Sequence, residues 1–144
     1  MHDLSRQLTP DQLAELFEGR TRLVEQLAQE EDPLGSAEEV IARLDDADKI
    51  EALNAHPAIG TRNLSHRSAA EQGAGGPPAV LTELAYLNQV YEEKFGFRFV
   101  VFVDGRSKSE ILEVLRQRLE RTREEELETG LHELVSIARD RATA

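Results

Sequence analysis

The segment "FGFRFVVFVDG", Phe95 to Gly105, is the only part of this chain whose apolar residues alternate. Phe97, Phe99, Val101 and Val103 fall on one side, and Arg98, Val100 and Phe102 on the other, which is the two-residue period of a strand. A strand needs a partner for its backbone N–H and C=O groups, and no second alternating segment exists to supply one. The chain therefore has no sheet to build. The segment is expected to be an extended, buried connector inside a helical protein.

The remaining apolar residues recur at helical spacing. "LTPDQLAELFEG" opens with Thr9 as N-cap, Pro10 at the first helical position and Gln12 where a capping box wants it. Leu13, Leu16 and Phe17 then share a face. A second helix is expected over about Thr21 to Glu30, through Leu23, Val24 and Leu27. Ser36 with Glu39 reads as another capping box, leading into Val40, Ile41 and Leu44. "DDADKIEALNAHP" is helical until Pro57, which disfavours helix at the residue before it. A long helix is expected from about Ala79 to Lys94, with Val80, Leu84, Leu87 and Tyr91 on one stripe and Gly96 as its stop. Two more follow, about Ser107 to Leu119 and about Arg123 to Arg141, the last with Leu127, Leu131, Leu134, Val135 and Ala138 on one face. The expected fold is all-α: a helical bundle forming a single domain over residues 1–144, with one extended connector and a long polar loop.

A chain of 144 residues fits one domain, and at this size roughly 68–70% of the unfolded surface can be buried. There is no cysteine, so disulfides, thiolate zinc sites and cysteine nucleophiles are excluded together. The net charge of −11 repels nucleic acid and anionic membranes, so neither is an expected partner. An anionic substrate would need a local cationic pocket. Basic residues gather at Arg62, His66 and Arg67, and again at Arg98, Arg106 and Lys108. The first residues contain no apolar leader, no apolar run is long enough to span a membrane, and the last carry no peroxisomal tripeptide. The cytoplasm is the expected setting.

Residues 58–78 are poor in large apolar side chains and rich in Gly, Ser and Arg. A long polar segment of this kind inside a compact domain is more often functional than idle. Ser68 and Glu71 form a third possible capping box before "GAGGPP". Of the four histidines, His2 and His132 read as solvated surface. None has metal-ligand spacing, so no metal is expected. "GAGG" follows no strand and lacks the lysine of a phosphate-binding loop. His56 and Glu71 remain as the smallest pair able to do acid–base work. By its residues alone, a histidine placed like His56 is more often a helix-end residue with an ordinary polar contact than a catalytic one.

Three motifs stand in order. "NAHPAIG" at Asn54–Gly60 comes first, then "SAAEQ" with "GAG", then "LNQVYEEKFGFRFVVFVDGRSKSEIL". Together they resemble the OHCU decarboxylases, enzymes of urate degradation that act on 2-oxo-4-hydroxy-4-carboxy-5-ureidoimidazoline. The resemblance is close from about Ile50 onward and looser over the N-terminal helices. It implies an all-helical fold, no cofactor, a homodimer, and conversion of OHCU to (S)-allantoin and CO2. It puts the catalytic histidine on His56 and the catalytic glutamate on Glu71. Ser68 and Gln72 match residues that help hold the substrate, and Pro57 would limit how the imidazole is aimed.

One position departs from the family pattern. Where many members carry a basic residue shortly after the F-G-F-x-F segment, this chain has Asp104. Arg106 lies two residues on, and Arg98 replaces a residue that is often proline. An arginine offers a carboxylate a planar, two-toothed fork. Arg106 is the expected carboxylate ligand, because Gly105 would let the chain turn it back over the His56 loop; Arg98 is the second candidate. A related lyase acting on another ureido or imidazoline acid, and a non-catalytic helical interaction domain, are the competing readings.

Overall fold

A computed structural model of the chain describes residues 8–58 and 77–143. Among these residues the protein is all-helical, with seven helices and no strand. They are α1 (Pro10–Phe17), α2 (Arg22–Leu27), α3 (Ala37–Arg43), α4 (Asp46–Ala55), α5 (Pro78–Phe95), α6 (Lys108–Arg118) and α7 (Arg123–Thr143). Residues 59–76 of the polar segment, with the Ser68–Glu71 capping box and Gln72, lie outside the described residues, as does His2.

Local chemistry sets most helix ends. Thr9 Oγ1 accepts the N–H of Gln12 and the Gln12 side chain accepts the N–H of Thr9, so the expected capping box opens α1. The same reciprocal pair, Ser107 with Glu110, opens α6. Asp45 caps α4 by accepting the N–H of Asp48. Gly96 ends α5 with φ of 81°.

Two expectations need correction. Ser36 precedes α3 as expected, but its side chain makes no capping bond. Its φ of −98° and ψ of 7° are not the extended geometry that aims an N-cap hydroxyl at the first turn. The preceding turn is instead held by Asp32, whose carboxylate accepts the N–H of Gly35 and whose carbonyl accepts that of Ser36. Helix α2 also stops at Leu27, short of Glu30. Gln29 and Glu30 then donate to the carbonyls of Gln26 and Leu27, tight turns that unwind the helix ahead of Pro33.

Helix α7 is the organising element. Its buried face, Leu127, Leu131, Leu134, Val135 and Ala138, packs against α1, α3 and α4, while α5 packs against α6. The connector between α5 and α6 is extended without being a strand. Phe97, Phe99, Val101 and Val103 are buried as the alternation implies, and Val100 is buried as well. Tyr91, Phe95, Phe97 and Phe99 form an aromatic cluster, with ring centroids 4.6 Å apart for Tyr91–Phe95 and 5.2 Å for Tyr91–Phe99.

A buried extended segment with no neighbouring strand still has to satisfy its backbone. Among the described residues, side chains of three helices and of the connector itself take the place of a strand partner. Asn54 Oδ1 accepts the N–H of Arg98 at 3.0 Å, and Glu133 accepts that of Phe102 at 3.1 Å. Arg118 donates to the carbonyl of Val100 at 2.7 Å. Arg106 donates to the carbonyls of Val103 and Phe102.

Candidate active site around His56

Helix α4 ends at Ala55, and His56 takes φ of −79° and ψ of 136°, the extended backbone that a residue before proline must adopt. Its N–H still bonds the carbonyl of Leu53 at 3.2 Å, so the residue is attached to the helix while its side chain departs from it. Close packing holds this end of α4 in place. A Cβ on Gly19 would lie 3.1 Å from the Cβ of Ala55, so the α1–α2 turn approaches the helix as only glycine allows without displacement.

The imidazole is turned inward. His56 is 7% exposed, and its Nδ1 has no hydrogen-bond partner among the described residues. Burial pushes its pKa down from 6.5 to about 4. The positive charges of Arg141 and Arg98 push the same way, and Glu18 opposes them in part. Arg141 and Glu18 form an ion pair of 3.2 Å, and Arg141 also donates to the carbonyl of Leu16 at 2.9 Å. At neutral pH His56 is therefore an uncharged imidazole in a locally positive setting. A bound anion would draw its pKa back up.

Arg98 lies on the backbone of this site. Its Nη1 donates to the carbonyl of Asn54 at 3.0 Å and to that of His56 at 2.8 Å. Arg106 is turned elsewhere, its Nε 3.2 Å from the carbonyl of Val103. Asp104 and Gly105 have φ of 49° and 77° and form an exposed turn. An aspartate–glycine pair tolerates that left-handed backbone, which accounts for Asp104 by turn chemistry. Pro57 is partly buried beside His56. His132 is exposed, as expected.

The sequence reading singled out neither Asn54 nor the Glu18–Arg141 pair. Asn54 sits inside the first motif, two residues before His56, but its backbone partner at Arg98 lies 44 residues away, beyond the reach of any local pattern. Glu18 and Arg141 come from opposite ends of the described chain, and no local pattern joins them. Among the described residues no group of three His, Asp or Glu side chains could hold a metal ion, and no helix is long and apolar enough to cross a membrane.

The chain matches the family model for OHCU decarboxylase over residues 2–143. It belongs to the OHCU decarboxylase family. A 2-oxo-4-hydroxy-4-carboxy-5-ureidoimidazoline decarboxylase of Halalkalicoccus jeotgali is 35% identical over 95 residues, covering 62% of this chain and 54% of that protein. A uric acid degradation bifunctional protein of a Bacillus species is 31% identical over 105 residues, 69% of this chain and 21% of that protein. The chain thus spans about half the length, or less, of these curated relatives. A crystal structure of OHCU decarboxylase in the presence of (S)-allantoin superposes with a TM-score of 0.75 at 26% identity, covering 90% of this chain and 93% of that one. The fold of that enzyme is thus shared by the described residues of this chain.

Proposed function

We propose that this protein decarboxylates OHCU to (S)-allantoin and CO2 in urate degradation, without a cofactor. The observation that carries the reading is His56, a buried, uncharged imidazole fixed at the end of α4 in a chain of this family. When the C–CO2 bond breaks, its electron pair stays on a carbon next to a ring C=N. The ring takes up those electrons, so the substrate itself serves as the sink. The carboxylate form of the substrate then consumes one proton to become allantoin. In this reading His56 takes a proton from solvent when the anionic substrate arrives beside it and delivers it to one face of the ring. Delivery to a single face gives the single enantiomer.

Glu71 accepts hydrogen bonds from ring or ureido N–H groups, with Ser68 and Gln72 holding the substrate beside it. Pro57 limits the aim of the imidazole. A substrate carboxylate approaching a protein of charge −11 needs a local cation, and Arg106 takes that part, exchanging carbonyls of its own turn for the ligand. The working protein is a homodimer in the cytoplasm. The test is incubation with freshly generated OHCU, with allantoin followed by circular dichroism. Rapid appearance of the S enantiomer above the spontaneous racemic background supports the reading. Loss of OHCU at the background rate would contradict it and leave a lyase for another ureido or imidazoline acid, or a non-catalytic helical domain.

A further inference from the structure

We infer that Arg98 is a positioning residue for His56, acting through the backbone rather than by binding the substrate. The inference rests on the proposed decarboxylation for its kinetic readout, but its geometry stands apart from that reaction.

Four contacts carry it. One guanidinium nitrogen, Nη1, bridges the carbonyls of Asn54 and His56 at 3.0 and 2.8 Å. The backbone N–H of the same arginine is accepted by Asn54 Oδ1 at 3.0 Å. The Nε makes no hydrogen bond among the described residues and lies 3.9 Å from a carboxylate oxygen of Glu92 on α5, a long ion pair. Arg98 and Asn54 thus lock each other, one from the connector and one from the end of α4. The last carbonyls of a helix have no partner within it, and these two receive one from a side chain far away in sequence.

The lock bears on the imidazole because of where it grips. The carbonyl of His56 belongs to the peptide joining it to Pro57. Proline confines His56 to extended backbone but leaves ψ a range of tens of degrees. Holding that carbonyl at 2.8 Å selects one value within the range, and the Cα–Cβ direction of His56 follows. The connector that supplies Arg98 is itself immobilised, with Phe97 and Phe99 on either side of it 2% and 1% exposed. The aim of the imidazole is therefore referred to the aromatic core rather than to the helix end alone. A carboxylate-binding arginine would present its two-toothed fork to the ligand. Arg98 instead spends one tooth on two backbone carbonyls.

The experiment is steady-state kinetics on Arg98→Ala, Arg98→Lys and Asn54→Ala, beside the 1H–13C NMR signal of the His56 imidazole in each. A misaimed catalytic group costs turnover rather than binding, so Arg98→Ala should lower kcat by about 10- to 100-fold with KM within about threefold. Arg98→Lys should recover part of the loss, since an ammonium can still reach one carbonyl, and millimolar free guanidinium should partly rescue Arg98→Ala. Asn54→Ala, which leaves the arginine in place, should lower kcat in the same direction and serves if Arg98→Ala does not fold. All three variants should shift or broaden the His56 signal at unchanged pH. A tenfold or greater rise in KM with kcat preserved would make Arg98 a substrate ligand and overturn the inference. If the wild-type protein does not turn over OHCU, the functional reading fails, and the NMR signal alone decides: a displaced His56 resonance upholds the positioning role, and an unmoved one overturns it.

Discussion

Two buried ionisable side chains, Glu126 and His56, are treated in opposite ways. Glu126 on α7 is fully buried, and its carboxylate has a donor on every side: Tyr91 at 2.7 Å, Arg118 at 2.7 Å and Arg121 at 2.9 Å. Arg118 reaches on to the carbonyl of Val100 and lies over the Phe99 ring at 4.6 Å, with its Nη2 unpartnered among the described residues. This one carboxylate ties α5, α6, α7 and the connector together, and a buried charge so fully compensated has nothing left to offer a ligand. His56 is nearly as buried, yet its Nδ1 finds no partner among the described residues, and two arginine charges disfavour its protonation. The difference separates architecture from chemistry. A saturated centre such as Glu126 holds the fold, whereas the Nδ1 of His56, beside a constrained turn, takes no hydrogen bond from the described residues.

Exchanging the roles of the two centres breaks the comparison most sharply. Replacing His56 by glutamine should cut (S)-allantoin formation by about 10²–10⁴-fold, the usual worth of an acid–base group. The melting temperature, followed by circular dichroism, should change little. Near-wild-type turnover would remove His56 from the mechanism. Replacing Glu126 by alanine should do the reverse, because it strands Arg118 in the core. Urea unfolding should report a loss of about 3–5 kcal/mol, the cost of breaking a buried pair on one side. Protein that remains folded should keep its kcat.

A smaller effect comes from pH. The folded protein holds the His56 pKa at about 4, below the ordinary 6.5 of the unfolded chain. Between those values the unfolded state binds the proton and the folded state does not, so stability falls as pH drops from about 6.5 toward 4. The loss from this residue is at most roughly 3 kcal/mol. In His56→Gln that part of the slope should vanish, as urea midpoints at matched pH would reveal. The smallest effect is expected at Arg139, which pairs with both oxygens of Glu38 at 3.1 and 2.9 Å on a surface largely open to water. Arg139→Ala should cost about 0.2–1 kcal/mol and leave activity alone. A larger loss would point to its additional bond to the carbonyl of Leu34.

What was legible in the chain beforehand was local. Thr9 with Gln12, the apolar face of α7, Gly96 and the stop at Pro57 each announce themselves within a few residues, because capping and periodicity are short-range effects. The connector followed by elimination, since one alternating segment has no strand to pair with. Its manner of survival was not legible. Asn54, Arg118 and Glu133 reach it from helices scattered along the chain, and nothing in their immediate neighbours marks them as backbone partners. Glu126 was hidden for a related reason. In "REEELETG" it looks like one of several acidic residues suited to a helix start, and only the arrival of Tyr91 from α5 and Arg118 from α6 singles it out. His56 was legible as a constrained histidine. Its inward turn and the Glu18–Arg141 pair that faces it depend on the two ends of the chain meeting. Arg98 falls on the opposite side of the alternation from Phe97 and Phe99, and nothing beside it in the sequence announces that it reaches the carbonyls at the end of α4.

The central claim is that His56 rests as an uncharged, buried imidazole. The direct measurement is an NMR titration of its 13Cε1 resonance in the substrate-free wild-type protein, assigned by its absence from the His56→Gln spectrum. The signal should remain that of neutral imidazole at about pH 5.5, well below the ordinary histidine pKa and consistent with a pKa of about 4. A midpoint at or above 6.5 would show a solvated or anion-paired histidine, and would contradict that claim.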